Sequence, residues 1–374
     1  MKFLQLCDLH IGKRLKEFSL LEDQGFVLDQ ALNLAQEEKV DALFLAGDIY
    51  DSTLPSNEAT ALLDKFLARV HAMHLPCFII SGNHDSPEKL HFGSAIFKDE
   101  GIHVATRVEE ALTPVVFKGI NIYLLPFIRP LDVNSAFDTD YRTYSDAIAE
   151  VIRRMAVDPM KTNLLLAHQT VLPLDGKLPL GGSEDILSQD GVAVGDVSAI
   201  SASLFHDFDY VALGHIHKPQ AVAPNARYGG SILKYHRDEA NSEKSFTLIE
   251  VEGKTIKISA KPIRFLHDVI HLTGSLDEIL AAKADHNAYL FASLTDTSLL
   301  EDPMAKLRSV YPYAAWVDYV THEVHASKTK TIDIEHVSKE QLFADFFAEQ
   351  NGAPMSEEQA QLVHDLLSDK GVNE

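Results

Sequence analysis

The chain has 374 residues, 46% hydrophobic and 24% charged, the make-up of an ordinary globular protein with room for two or three domains. No apolar stretch approaches the roughly 18–20 residues of a membrane span, and no secretory leader pattern opens the sequence, so the expectation is a cytoplasmic protein without a membrane partner, its Cys7 and Cys77 reduced. A formal charge of −22 argues against stand-alone nucleic-acid binding, which draws on Lys and Arg, although acidic clusters that hold divalent cations invert the local field.

KFLQLCDLH (Lys2–His10) begins as a continuous apolar run, the pattern of a strand buried on both faces, and ends on Asp8 and His10. Phe18–Glu38 then carries Leu21, Phe26, Leu28, Leu32 and Ala35, mostly at helical spacing. ALFLAGDIYD (Ala42–Asp51) is a second buried strand, ending on Asp48 and Asp51. Ser56 precedes a helix with Leu62, Leu63, Phe66, Leu67 and Val70 on one face. CFIISGNHD (Cys77–Asp85) is a third strand, ending on Asn83, His84 and Asp85. Ser86-Pro87-Glu88 caps the following helix, which carries Leu90, Ile96 and Phe97. Strands are expected at Pro114–Phe117 and Ile120–Pro126, and NLLLAHQ (Asn163–Gln169) ends on His168. Asp175–Gly195, rich in glycine and without a clear period, reads as a long surface loop near the site. YVALGHIH (Tyr210–His217) ends on His215 and His217, followed by a Gly229-Gly230-Ser231 turn and a strand at Phe246–Val251.

The β-α rhythm changes near Pro262. Val269–Leu272, a helix at Asp277–Ala284, Tyr289–Leu294 and a helix at Pro303–Val310 suggest a small α+β unit. Ser338-Lys-Glu-Gln341 and Ser356-Glu-Glu-Gln359 both fit the capping box, and the Asn351-Gly352-Ala353-Pro354 break between them makes a helical hairpin. Residues 334–374 hold two lysines against nine acidic residues, a surface suited to a protein partner rather than to phosphate. Three domains are therefore expected, at 1–262, 263–333 and 334–374.

Ligands of helix-covered sheets gather beyond the carboxyl ends of the strands. Five strand ends would carry Asp8, His10, Asp48, Asp51, Asn83, His84, His168, His215 and His217 to one rim. Carboxylate, amide and imidazole donors without thiolate suit Mn²⁺, Fe or Zn²⁺ in an open catalytic site. The donors outnumber the needs of one ion and suit two.

DxH, GDxxD, GNHD, a strand-ending His and GHxH in this order resemble the motif set of the calcineurin-like metallophosphoesterases. The resemblance implies an α/β fold, a metallophosphoesterase β-sandwich flanked by helices. It also implies that Asp8, His10, Asp48 and His217 hold one ion, and that Asp48, Asn83, His168 and His215 hold the other. His84 would be a non-ligand histidine contacting the phosphate as general acid, with Asp85 behind it orienting His84 or a ligand. Asp51 stands where some relatives carry His, as a possible ligand or a group behind the ligands. AGDIYDSTLPS, SGNHDSPEKL, DFDYVALGHIHKPQ, GGSILKYHRDEANSEKS and LFADFFAEQNGAPMSEEQ further resemble the SbcD family of bacterial nuclease subunits. That likeness implies a Mn²⁺-dependent DNA exonuclease and endonuclease of repair and recombination, associated with the nucleoid. It implies a homodimer within a heterotetramer, whose C-terminal helices bind an SbcC-type ABC ATPase with a coiled coil. Under this reading the 263–333 unit caps the site, and Lys13, Arg14, Gly230 and Ser231 are candidate DNA contacts. The rival readings are a small-molecule phosphatase or cyclic-nucleotide phosphodiesterase, and a non-catalytic metal-containing scaffold.

Overall fold

The computed structural model describes residues 1–173, 199–320, 338–351 and 353–368. The loop expected at Asp175–Gly195 lies outside the described residues, as does 321–337. Two six-stranded sheets face one another. The first runs Thr255–Pro262, Ser245–Glu252, Lys2–Leu6, Ala42–Ala46, Cys77–Ile80, Ile102–Ala105, and its last four strands are parallel. The second runs Gln220–Ala223, Ala226–Tyr228, Tyr210–Gly214, Thr162–His168, Ile120–Leu125, Val115–Phe117, with its four inner strands parallel.

Period-2 alternation explains why these strands are apolar on both faces. In Ala42–Ala46, Ala42 and Phe44 point between the sheets, joining Phe3, Phe78, Leu164 and Leu166, whereas Leu43 and Leu45 pack outward. Helices Leu21–Glu37 and Asn57–Ala72 cover the outer face of the first sheet. Helix Tyr144–Met155 covers the second through Ala147, Ile148, Val151, Ile152 and Met155. Burying each such Leu or Ile contributes about 1.5–3 kcal/mol, so the two strand layers are held rigidly and their carboxyl ends open at one edge.

Three local expectations change. Phe18–Ser19 pairs with Arg14–Leu15 as a short hairpin, so the first helix starts at Leu21, and Phe26 is exposed rather than core. The helix after Ser86 stops at His91; Gly93, at φ +77°, breaks it, and a second helix runs Ser94–Asp99. In the tail, Ser356 and Gln359 form the full capping box, but the Gln341 side chain donates to Asp345 instead of reaching back to Ser338.

Strands Val269–Gly274, Tyr289–Leu294 and Ala314–Tyr319 form a three-stranded sheet. Val269, Tyr289, Phe291 and Ala315 share the core of the first sheet's outer face, and residues Met1–Asp318 form one compact unit. The Asp23 carboxylate stitches this junction, accepting from the His267 amide at 3.0 Å and the Tyr289 hydroxyl at 2.9 Å. Tyr319–Glu374 is a second unit, in which helices Lys339–Asn351 and Glu357–Ser368 pair and His364 Nδ1 lies 3.0 Å from Glu340 Oε1. Among the described residues no helix is long and apolar enough to cross a membrane.

Candidate metal centre

The strand ends bring three sets of donor atoms together: Asp8 with His10 and His217, Asp48 with His168 and His215, and His10 with Asp48 and His84. Asn83 joins the second set, its Oδ1 lying 3.2 Å from His168 Nε2 and 2.9 Å from His215 Nδ1. Asp48 stands between the sets. Its Oδ2 is 3.6 Å from His10 Nε2 and 3.4 Å from His168 Nε2, while Oδ1 accepts the His84 amide at 2.9 Å.

Cation binding fits these atoms. Asp8 Oδ1 accepts the His215 amide at 2.8 Å, but Asp8 Oδ2 and His10 Nδ1 are buried without a hydrogen-bond partner. The nearest carboxylate oxygen to His10 Nδ1, on Asp51, stands 3.4 Å away. His10 Nε2 and His217 Nε2 face each other at 3.1 Å, an approach in which at most one nitrogen carries hydrogen. A buried unpaired acceptor such as Asp8 Oδ2 costs free energy unless something satisfies it, and a divalent cation held among these donors would.

The local backbone is bent to present these groups. Asp8, His10, Asp48 and His215 adopt φ of 50°, 43°, 47° and 100°, a region that L residues occupy at a cost of about 1–3 kcal/mol each and that clusters at functional sites. Three motif glycines clear the space. A Cβ would lie 2.2 Å from His168 Nδ1 at Gly47, 2.1 Å from Asp48 Oδ1 at Gly82 and 1.9 Å from the Ala46 carbonyl at Gly214. The close approach these glycines permit is that of the donors' own side chains and strand.

Charge follows burial and pairing. Burial pushes the Asp8 carboxyl up to about 6 and the His10 and His215 imidazoles down to about 4 and about 3. Burial works against charge on Asp48 and His168 as well, but their mutual attraction overrides it. Asp48 is held well below the usual carboxylate range and His168 rises to about 9.

A profile described as calcineurin-like phosphoesterase matches residues 1–219. The chain belongs to the calcineurin-like phosphoesterase family. A second profile, described as the type 5 capsule protein repressor C-terminal domain, matches residues 266–351. The protein is 29% identical to the SbcD subunit of the SbcCD nuclease of Staphylococcus epidermidis, over 98% of each chain. Among solved structures, a Thermus thermophilus protein matches at TM-score 0.42 and 16% identity, covering 69% of this chain and 98% of that one. A dimetal phosphatase from Danio rerio matches at TM-score 0.38 and 13% identity, covering 71% and 99%.

Within this phosphoesterase site, several residues sit differently from expectation. Asp85 does not face the donors: its Oδ2 accepts the Ile49 and Gly82 amides at 3.0 and 2.8 Å, and its Oδ1 accepts the Tyr50 amide at 2.8 Å. It clamps the GDxxD loop to the GNHD loop through amides next to Asp48 and Asn83. Ser231 and Gly230, expected as candidate DNA contacts, are both buried. The Ser231 hydroxyl donates to the Leu233 carbonyl at 2.7 Å, and a Cβ at Gly230 would meet the Pro219 ring and the His217 carbonyl. Lys13 is half-buried and bound to Asp51 Oδ1 at 2.7 Å, whereas Arg14 is exposed and donates to the Glu17 carbonyl. Asp51 thus holds Lys13 while its Oδ1 stands 3.4 Å from His10 Nδ1, and its carbonyl lies 3.1 Å from His84 Nδ1. A carbonyl only accepts, so His84 Nδ1 carries hydrogen and Nε2 is the nitrogen left to exchange a proton.

The motifs did not reveal the supports of this phosphoesterase site. Gln24 Nε2 donates to the Leu9 and His10 carbonyls at 3.1 and 2.6 Å, and its Oε1 accepts the Gly12 amide at 3.0 Å. Tyr235 donates to the Leu9 carbonyl at 2.6 Å and lays its ring edge-on to His10 and His217. For Gln24 a signal existed: it lies between Leu20 and Leu28 on the helix's apolar face, where a polar group needs a buried partner.

Proposed function

We propose that the chain is the nuclease subunit of an SbcCD-type complex, hydrolysing DNA phosphodiesters at a site that takes two Mn²⁺ ions. The observation that carries this is the pair of abutting donor sets with Asp48 between them and His84 alongside. Asp8, His10, Asp48 and His217 would hold one ion, and Asp48, Asn83, His168 and His215 the other. Bound there, the ions supply Lewis acidity toward water and the phosphate oxygens. His84 donates a proton from Nε2 to the departing oxygen, oriented by the Asp51 carbonyl and by its own amide on Asp48. Lys13, fixed by Asp51, contacts a phosphate of the strand. Likeness to the staphylococcal nuclease subunit along nearly the whole chain supports DNA as the substrate.

On the same reading, the tail hairpin binds an SbcC-type ATPase with a coiled coil, 263–333 caps the site, and the nuclease is a homodimer within a heterotetramer on the nucleoid. Exposed Phe343, Phe346, Leu362 and Leu366 suit a helix-in-groove partner, and exposed Phe92 and Ile96 suit a second copy. The test is cleavage of linear duplex and hairpin DNA by the purified chain with Mn²⁺, compared with turnover of p-nitrophenyl phosphate. Cleavage of DNA that copurified ATPase and ATP enhance is expected. Turnover of the small ester with DNA left intact would refute the reading.

A further inference from the structure

Behind His217, on the side away from His10, lies a buried ion pair that none of the metal motifs contains. Glu239 and Lys244 side chains are both fully buried, with Lys244 Nζ 2.5 Å from Glu239 Oε2. Lys244 also donates to the Ser231 hydroxyl and to the His217 carbonyl, each at 2.8 Å, which uses its three protons. The other Glu239 oxygen, Oε1, faces His217 Nδ1 at 3.5 Å, while His217 Nε2 faces His10 at 3.1 Å.

A buried ion pair seldom raises stability over an apolar pair of the same volume, so its presence beside a site residue calls for another account. A metal-binding histidine commonly directs its second ring nitrogen at a carboxylate, which fixes the tautomer that leaves the ligating nitrogen bare. We propose that Glu239 is a positioning residue, holding hydrogen on Nδ1 of His217 so that Nε2 is presented to an ion shared with Asp8 and His10, and that Lys244 keeps Glu239 in place. The inference rests on His217 being a ligand. The segment that carries the pair also reaches the three-stranded sheet, through Arg237 to Asp318 and Lys234 to Asp268 at 2.8 Å, so the His217 support is anchored on both sides.

The experiment compares Mn²⁺ binding isotherms and melting temperatures for three variants of the full chain. Glu239→Gln should weaken one of two ions about 10–100-fold, the two responding unequally. Glu239→Leu/Lys244→Met removes both buried charges, while the Ser231 amide at 3.1 Å still holds the His217 carbonyl. It should recover the melting temperature but not the weakened ion. Recovery of both, or an unchanged isotherm in Glu239→Gln, would overturn the proposal. His217→Ala should lose one ion; if it binds both as tightly as the parent, the ligand reading fails and the positioning role with it.

Discussion

A Cβ at Gly47 would stand 2.2 Å from Nδ1 and 2.6 Å from Cγ of His168, so the imidazole occupies the space a side chain at 47 would need. His168 comes from the second sheet and Gly47 from the first, and His168 Nδ1 lies 2.8 Å from the Ala46 carbonyl. A histidine of one sheet seated on a glycine of the other is thus one of the contacts by which the sheets meet at the site, beside the His215 amide on Asp8.

Gly47→Ala should displace His168 and strain a backbone at φ +84°. A ligand shift of about 1 Å commonly costs about 100-fold in rate, and that loss is expected in cleavage, together with weakened Mn²⁺ binding. A Mn²⁺ isotherm equal to the parent's would show that the seat does not position His168.

Metal uptake should release a proton. Asp48 keeps His168 protonated up to about pH 9 in the metal-free chain, whereas His10 and His215, held down to about 4 and 3, are neutral at pH 7. An ion can use His168 only after that proton leaves, so apparent affinity should rise about tenfold per pH unit toward 9. Below about pH 6, protonation of Asp8 adds a second competing proton and steepens the fall. Calorimetry in two buffers of different ionisation enthalpy measures the count; zero protons released at pH 7 would contradict the His168–Asp48 pairing.

Asp85→Asn should leave both ions bound but loosen the loops. Three amides now converge on its two oxygens, and an amide side chain offers one acceptor and a donor that faces an N–H. A loss of about 1–3 kcal/mol in urea unfolding is expected. Unchanged stability with abolished metal binding would instead make Asp85 a ligand.

A chain ending before Ser338 keeps the Met1–Asp318 unit and should retain basal DNA cleavage while losing copurification with the ATPase. Retained association would place the partner surface elsewhere.

The five strands and the donor types at their ends were legible because parallel strands covered on both faces leave continuous apolar runs, and because Asp, Asn and His interrupt them at the rim. What the sequence could not show lies in side-chain direction. Ser231 and Gly230 look like an exposed glycine-rich turn, yet they back onto His217. Asp85 is adjacent to His84 in sequence, yet its carboxylate turns to the backbone of another loop. Glu239 and Lys244 carry no sign of burial in the sequence, since charged residues are seldom fully buried. Only tertiary packing, which closes Ser231–Lys244 over His217, makes them a pair.

In the proposed mechanism the donor sets hold the ions and His84 does the proton work beside them. His84 lies near His10 and Asp48, within the reach of a ligand as well as of an acid. Mn²⁺ stoichiometry and DNA cleavage measured together on the parent and on His84→Ala decide between those roles. Two ions in both proteins, with cleavage reduced about 10²–10⁴-fold in the variant, is the predicted result. Loss of an ion, or cleavage at the parent rate, would contradict it.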